Sequence, residues 1–583
     1  MRKTLLILVA LLLSLSLVAC KEDTGGDIDP DKRPEKAASI TFWAYGDSVE
    51  KEVFEKLVTE FNKLNEGIVN VRYVQKSPDG YGDALKLGLQ GSRGPDVVYV
   101  ADGDYKALAE LGFLLPLDKY VETSEYINPE EMWDASLNRY KYDVNTTTQD
   151  GPDAHYWAVP KDVGPTVIYY NETFFKAAGI TVISVFPEDL AAFNDGAADA
   201  RGKTKTEYGI TGTVKNKGYF ELGGKKYFNN KIGMSWDETV AASRVVQNGS
   251  NAQHGFFTEW WFNYGWSVGG DVIQYIPTND QTYNGGYWDF TLMDPTPNYM
   301  VKRSGSSVTV NGTTYQPGTF VSYYDKLSNL ESKTVRSEVL ELVNTGALDV
   351  FPSQRDAFVE FTRIGQKETS LVDTVNGQNL YGYGITPMPT SIGGDAGKTK
   401  AFANGNIAML VDGRWNVPNF RKQMGNYEWD IAPLPQYRTY DANGDILLEG
   451  LVAGHSGSVG LAINAKSSKP NASWEFLEYI GGSIGQLEQA KSGFAIPSQK
   501  ALANTEDFLQ SNQSPKNSII FLKAAETQTP GDWWYLRDNQ WIDPWAGKLN
   551  GSVRNAEMTL TQFYESKEYN STFNVLKNYT KKR

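Results

Sequence analysis

"DVVYVADGDYKALAELGFLLPLD" (96–118) sets a short apolar run, Asp96–Val100, against a turn of Gly and Asp and then a helix-periodic stretch, Tyr105–Leu111. A short apolar run bounded by turn residues reads as a buried strand. Upstream, Gly91 and Gly94-Pro95 close a helical stretch over Tyr81–Leu89, and Ile68–Val74 alternates like a strand. Val49, Val53, Leu57, Phe61 and Leu64 recur at helical spacing through a charged background, which predicts an amphipathic helix. Ser39-Ile40-Thr41-Phe42-Trp43 predicts the first strand, ending at Ala44-Tyr45-Gly46-Asp47. Strand and helix alternating with short turns build a parallel sheet wrapped by helices. In such α/β sheets ligands sit beyond the carboxyl ends of the strands, where Tyr45, Asp47, Asp102 and Asp104 fall.

Three further blocks follow in order: "YWAVPKDVGPTVIYYNETFFKAAGI" (156–180), "FANGNIAMLVDGRWNVPNF" (402–420) with "WDIAPLP" (429–435), and "GSVGLAINAKSSKPNASWEFLEYI" (457–480). Together with 96–118 they resemble family 1 of the bacterial extracellular solute-binding proteins, the maltose-binding-protein-like receptors of ABC importers. The resemblance spans Ile40 to about Pro497. It implies a two-lobed, hinge-connected fold of the type II periplasmic-binding class. On that reading lobe one takes 39–160 and 403–455, and lobe two takes 161–402 and 456–583. Residues 211–230 and 281–335 carry hairpin signals, notably Asn311-Gly312 between Val308–Val310 and Thr313–Tyr315. They predict β-rich insertions in lobe two.

The N-terminus reads separately. Arg2 and Lys3 precede an apolar run, Leu5–Leu13, and the segment closes on Leu17-Val18-Ala19-Cys20. This is the layout of a secretory signal, too short to span a bilayer comfortably. Apolar and small residues before a lone cysteine resemble a lipobox, so 1–20 reads as a lipoprotein signal with its lipobox, which implies a cut directly before Cys20 and lipidation of that cysteine, palmitate included. Cys20 is the only cysteine in 583 residues, so the folded body has no disulfide. Residues 21–38 include a stretch rich in Asp, Glu, Lys, Gly and Pro, and form a flexible tether.

Composition narrows the partners. A net charge of −14 argues against nucleic acid, which favours clustered Lys and Arg. The 15 Trp, 33 Tyr and 26 Phe offer flat apolar faces, the Tyr and Trp with polar edges. Sugars present matching C–H faces and hydroxyl rims. Three histidines, His155, His254 and His455, lie far apart, which disfavours a histidine-rich metal site. Asp441-Ala442-Asn443-Gly444-Asp445 has alternate oxygens, but position 452 is Val where a calcium loop needs Glu, and Asn-Gly favours a hairpin. No cofactor and no catalytic role are expected. The partners implied are a carbohydrate, an ABC permease and the membrane beneath the lipid, with the chain a monomer. A peptide, a polyamine, a surface adhesin and a secreted glycoside hydrolase are the rival readings, the last needing two carboxylates across a cleft.

Sugar sites combine stacking rings with planar groups that make two hydrogen bonds at neighbouring hydroxyls. Tyr45, Asp47 and Asp102 qualify by position, although Asp102 or Asp104 could instead cap the next helix. Asp162 matches a family position that reaches into the cleft. In "EWWFNYGWSVGGD" (259–271), Trp260 and Trp261 follow the helical pattern of a core face, so Trp266 is the predicted stacker; Asp271 either joins it or only serves the turn. Arg414 and Trp415 are placed beside the cleft by the resemblance. From the late aromatic loop, Trp534 is chosen among Trp533, Trp534, Trp541 and Trp545.

Overall fold

The structure is a computed structural model that describes residues 37–582 except 47, 79, 92, 102, 150, 528–535 and 538–539. The predicted signal (1–20), Cys20, most of the 21–38 tether, Asp47, Asp102 and Trp534 lie outside the described residues.

Strand β1 (Ala38–Tyr45), helix α1 (Ser48–Leu64), β2 (Val69–Lys76), α2 (Tyr81–Gln90), β3 (Val97–Ala101) and α3 (Tyr105–Glu110) follow the predicted alternation. Both β2 and β3 lie parallel to β1. The chain leaves this sheet through β4 (Val159–Pro160) and enters the second lobe with β5 (Gly164–Asn171). All eight residues of β5 are buried, which demands a neighbour on each edge and cover on both faces. The edges are taken by β6 (Met409–Gly413) and β7 (Trp429–Ala432), both antiparallel to it. Then β8 (Ser456–Gly457) pairs with the first residues of β5, and β9 (Val459–Ile463) runs antiparallel to β3 and β4.

The lobe-one sheet therefore has the order β2-β1-β3-β9-β4 and the lobe-two sheet β6-β5-β7. This corrects the predicted boundaries. Residues 403–455 belong with lobe two, because β6 and β7 complete β5. Residues 456–491 belong with lobe one, because β9 fills the open edge of β3 and helix Pro470–Gly481 packs Trp474, Phe476, Leu477 and Ile480 into the lobe-one core. After Lys491 the chain recrosses, and Phe508, Ile520 and Phe521 join Tyr169, Phe420 and Ile431 in lobe two.

Each sheet is covered on both faces. Lobe one buries Ile40, Phe42 and Phe61 on one side and Val98, Val100, Leu85 and Tyr140 on the other. The 281–335 region is β-rich: strands Ile273–Pro277 and Gly286–Phe290 pair, and Val308–Val310 pairs with Thr313–Tyr315. Tyr299, Val301 and Val310 of this region share a small separate core with Val339 and Leu348, which follow it in the chain. In the 211–230 region Tyr219–Leu222 and Lys225–Asn229 form the other hairpin. The Asp441–Asp445 segment is also a hairpin turn, between Arg438–Tyr440 and Ile446–Glu449.

Candidate functional site: the crossover between the lobes

Three chain segments cross between the lobes side by side. The Thr166 amide donates to the His455 carbonyl at 2.8 Å, Lys161 N to Val459 O at 2.9 Å, and Val163 N to Ile496 O at 3.0 Å. Such a strap of few residues, each segment held to the next, can flex as a hinge while keeping two rigid bodies in register.

On the lobe-one side Tyr45 ends β1, half-buried, with its ring 4.7 Å from that of Tyr81 and 5.0 Å from that of Tyr99. The Tyr99 hydroxyl donates to the Glu50 carboxylate. Lys161, on the first crossing segment, donates to Glu50 Oε1 at 2.9 Å and lies 2.9 Å from Asp162 Oδ2. Burial disfavours the Lys161 ammonium, but Asp162 and Glu50 outweigh it and hold its pKa above the ordinary value. Burial pushes the Glu50 carboxyl up despite Lys161. Lys161 Nζ also sits 4.4 Å from the centre of the Phe494 ring on the third crossing. One ammonium thus ties the first helix of lobe one to two of the three crossing segments.

On the lobe-two side Trp260 is half-buried and stacks on His455, centroids 4.5 Å apart at 21°. His455 is buried; burial first, then Arg139 and Lys398, hold its imidazole well below the usual range, so it is neutral at pH 7. Lys398 pairs with Glu259 and lies 5.4 Å from the Trp260 ring centre. Trp415 is half-buried and lies over glycine backbone: a Cβ on Gly164 would meet its ring at 3.2 Å, and one on Gly457 would meet His455 Nε2 at 3.3 Å and Trp415 at 3.7 Å. The tightest approach is at Gly413, where a Cβ would meet the Trp415 ring at 1.9 Å, so a side chain there would displace the indole. From lobe one, Arg139 donates to the Ser456 carbonyl, Tyr140 Oη to Ser458 Oγ at 3.1 Å, and Ser458 Oγ to the Asp162 carbonyl at 2.9 Å. Further out, Arg537 reaches Glu110 of α3 at 3.4 Å, so the late part of the chain also touches lobe one.

Of the predicted residues within the described set, the structure gathers Tyr45, Asp162 and Trp415 at this crossover. Three others it places elsewhere. Trp266 is 4% exposed in the lobe-two core, its ring 4.5 Å from Phe262. The helix runs over Phe262–Ser267 only, which turns Phe262 and Trp266, four residues apart, to the same inward face and leaves Trp260 ahead of the helix beside the crossover. Arg414 is 1% exposed and donates to the carbonyls of Gly493 and Phe508 at 3.1 Å each and to Ser518 Oγ at 3.3 Å. Burial and the neighbouring Arg421 bring its pKa to about 9. It braces β6 against the late segment of lobe two, its guanidinium committed to acceptors within the protein. Asp271 accepts from the Val272 amide at 2.6 Å, which is turn chemistry. Trp260, His455, Arg139 and Lys398 were missed. The one signal was the position of Gly454-His455-Ser456 directly before a strand at a lobe return.

Among the described residues no group of three or more His, Cys, Asp or Glu is placed to hold a metal ion. No described helix is long and apolar enough to cross a membrane.

Two α/β lobes joined by three strapped crossing segments, with half-buried rings and charged groups beside them, define a hinged solute-binding protein. Two family models of the same description, bacterial extracellular solute-binding protein, match residues 45–324 and 374–516, and the chain belongs to that family. Solved structures share the fold along nearly the whole length. An ABC substrate-binding protein of Listeria monocytogenes, solved with cycloalternan, is 14% identical with a TM-score of 0.57, over 93% of this chain and 99% of that one. The GacH receptor of Streptomyces glaucescens, solved unliganded and with acarbose, is 16% identical with a TM-score of 0.57, over 94% and 100%. UgpB of Mycobacterium tuberculosis, solved with glycerophosphocholine, is 15% identical with a TM-score of 0.55, over 92% and 98%.

Proposed function

We propose that the protein captures a carbohydrate, an oligosaccharide, between its two lobes and delivers it to the permease of an ABC importer, tethered to the extracytoplasmic face of the membrane through a lipid on Cys20. The observation that carries the reading is the pair of half-buried indoles, Trp260 and Trp415, flanking the strapped crossing segments within reach of buried charged groups. The cycloalternan and acarbose complexes of the structural relatives point to the same ligand class. The lipobox-like Leu17-Val18-Ala19-Cys20 and the charged segment behind it supply the anchor and tether.

In this mechanism a sugar face stacks on the lobe-two indoles, and hydroxyls then reach Asp162, Arg139 and the lobe-one tyrosines as the lobes close. Closure is favoured only by the ligand's higher affinity for the closed form. The neutral His455 serves as a flat support behind Trp260 and not as an acid or base.

The test is a thermal-shift and calorimetric panel of mono- and oligosaccharides against the purified chain, followed by Trp260→Ala and Trp415→Ala. A ligand at 100 times its Kd stabilises by about 2.7 kcal/mol. One glycan family should raise the melting temperature, be recovered unchanged, and bind each variant at least about tenfold more weakly, a loss of ~1.4 kcal/mol. No response to any glycan, with a response to a glycerophosphodiester or a peptide, would keep the receptor and replace its ligand; the glycerophosphocholine complex of one structural relative is the reason to include that arm.

A further inference from the structure

A half-open pocket lies within lobe two, beside the crossing strands. It is a cavity of about 350 Å³ walled by Phe186, Pro187, Ile232, Pro433, Leu434 and Ile520, apolar on most sides. No lobe-one residue lines it, and neither Trp260 nor Trp415 does. It nevertheless touches the hinge, since Thr166 and Gly454 form part of its wall and Thr166 holds the His455 carbonyl through both its amide and its hydroxyl.

Two polar groups in this apolar space lack the partners that burial demands. Gln436 is 2% exposed, and its Oε1 accepts no hydrogen bond. The amide cannot be reversed to cure this, because its Nε2 donates to Glu449 Oε1 at 3.0 Å and a carboxylate can only accept. Oε1 therefore stays beside Gly233, another wall residue: it lies 3.8 Å from where that residue's Cβ would be. Lys231 is 8% exposed and lines both this cavity and a larger polar depression of about 1120 Å³. Its ammonium donates to Asn517 Oδ1 and lies 4.5 Å from the centre of the Phe186 ring, and no described carboxylate forms an ion pair with it. Two of its three N–H groups are thus left without a protein acceptor. Burial lowers its pKa to about 8, against the pull of the more distant Asp430 and Asp199 carboxylates.

We propose that this cavity is a second binding site, for a small apolar carboxylic acid carrying a hydrogen-bond donor, with its carboxylate on Lys231, its body against the Phe186–Pro433–Ile520 wall and its donor on Gln436 Oε1. The volume suits a single aromatic ring with a short acidic arm. The site does not depend on which solute occupies the crossover.

The experiment is calorimetric titration of the full chain with 4-hydroxyphenylacetate, phenylacetate and the methyl ester of the first. Saturable binding to one site at about 1 mM or tighter is expected for the hydroxylated acid, with phenylacetate weaker and the ester weaker by at least about tenfold. Ala524→Trp, which fills the cavity from helix Ile519–Thr527, should abolish that binding while leaving the glycan titration unchanged. Lys231→Met should weaken the acid and not the ester, and provides a second arm if the tryptophan variant does not fold. An ester that binds as tightly as the acid, undiminished binding in a folded Ala524→Trp chain, or no saturable heat from either acid would overturn the proposal. Loss of glycan binding with acid binding intact would sink the carbohydrate reading alone.

Discussion

Asp430 shows how a single buried group sets pH behaviour. It is the second residue of β7, and one oxygen, Oδ1, accepts from both the Ile431 and the Asn517 amides at 2.9 Å each. Burial pushes its carboxyl to about 6 from an ordinary 3.8, against the pull of those amides and of Arg201. Between about pH 3.8 and 6 the native chain therefore binds more protons than the unfolded one, and stability falls as pH rises through that window. Asp430→Asn keeps an Oδ1 acceptor for both amides and removes the charge. It should stabilise the protein by about 1–3 kcal/mol at pH 7.5, with no gain below about pH 4, as chemical denaturation at the two pH values would read. The tryptophans give a second residue-scale expectation. Trp266→Ala should cost about 3–5 kcal/mol as a core truncation, whereas Trp260→Ala should leave much of the stability and lose ligand. If Trp266→Ala leaves the melting temperature unmoved, the inward orientation of its helix is wrong. Sequence pattern alone favoured the opposite assignment, since it ran the helix back over Trp260.

Elements were the most legible level. The Asn311-Gly312 turn, read from two residue types, has φ of 50° and 83° at its two central positions and pairs Val310 with Thr313. Both angles are left-handed, as a two-residue type I′ turn requires, and Gly tolerates the second without a side-chain penalty. Gly312→Val should therefore cost about 1–2 kcal/mol although nothing crowds that position, because the strain is in the backbone. The helix Gln354–Ile364 has a reciprocal capping box, with Ser353 Oγ accepting from the Asp356 amide and Asp356 from the Ser353 amide. Ser353→Ala should lower stability by about 1 kcal/mol, measurable as a shift of the melting curve. A change within error would mean that the helix is held by its packed face and not by its cap. Partner choice among elements was less legible. Nothing in the local pattern of β5, Gly164–Asn171, told that 409–413 and 429–432 would be its neighbours.

Across the whole molecule, stability and movement meet at Lys161. Its ammonium is almost wholly buried between Glu50 of α1 and Asp162 of the crossing strand. Removing one partner of a buried ion pair leaves an uncompensated charge and costs about 3–5 kcal/mol. Lys161→Met should show that loss in denaturant unfolding and should also loosen lobe one from the crossing strands. Small-angle scattering tests the larger motion: the radius of gyration should fall when a bound glycan is added to the native chain. A glycan that binds with no compaction would retire the closing mechanism.

The sequence by itself determined the alternation of strand and helix, the family, the position of the insertions and the presence of Tyr45, Asp162 and Trp415 at strand ends or crossing points. The alternation and the hairpins follow from periodicity and local turn chemistry, which act over a few residues, whereas the family and the placing of Asp162 and Trp415 rest on resemblance to known sequences. Only the tertiary structure decided which sheet 403–455 and 456–491 joined, because an open strand edge is filled by whatever segment folds back upon it, however far away in the chain. Only the tertiary structure turned Trp266 inward and Trp260 to the mouth, made Arg414 a brace and brought His455 behind an indole. Local periodicity marks a face, but contacts between segments far apart in the chain decide whether that face meets the core or a neighbouring lobe.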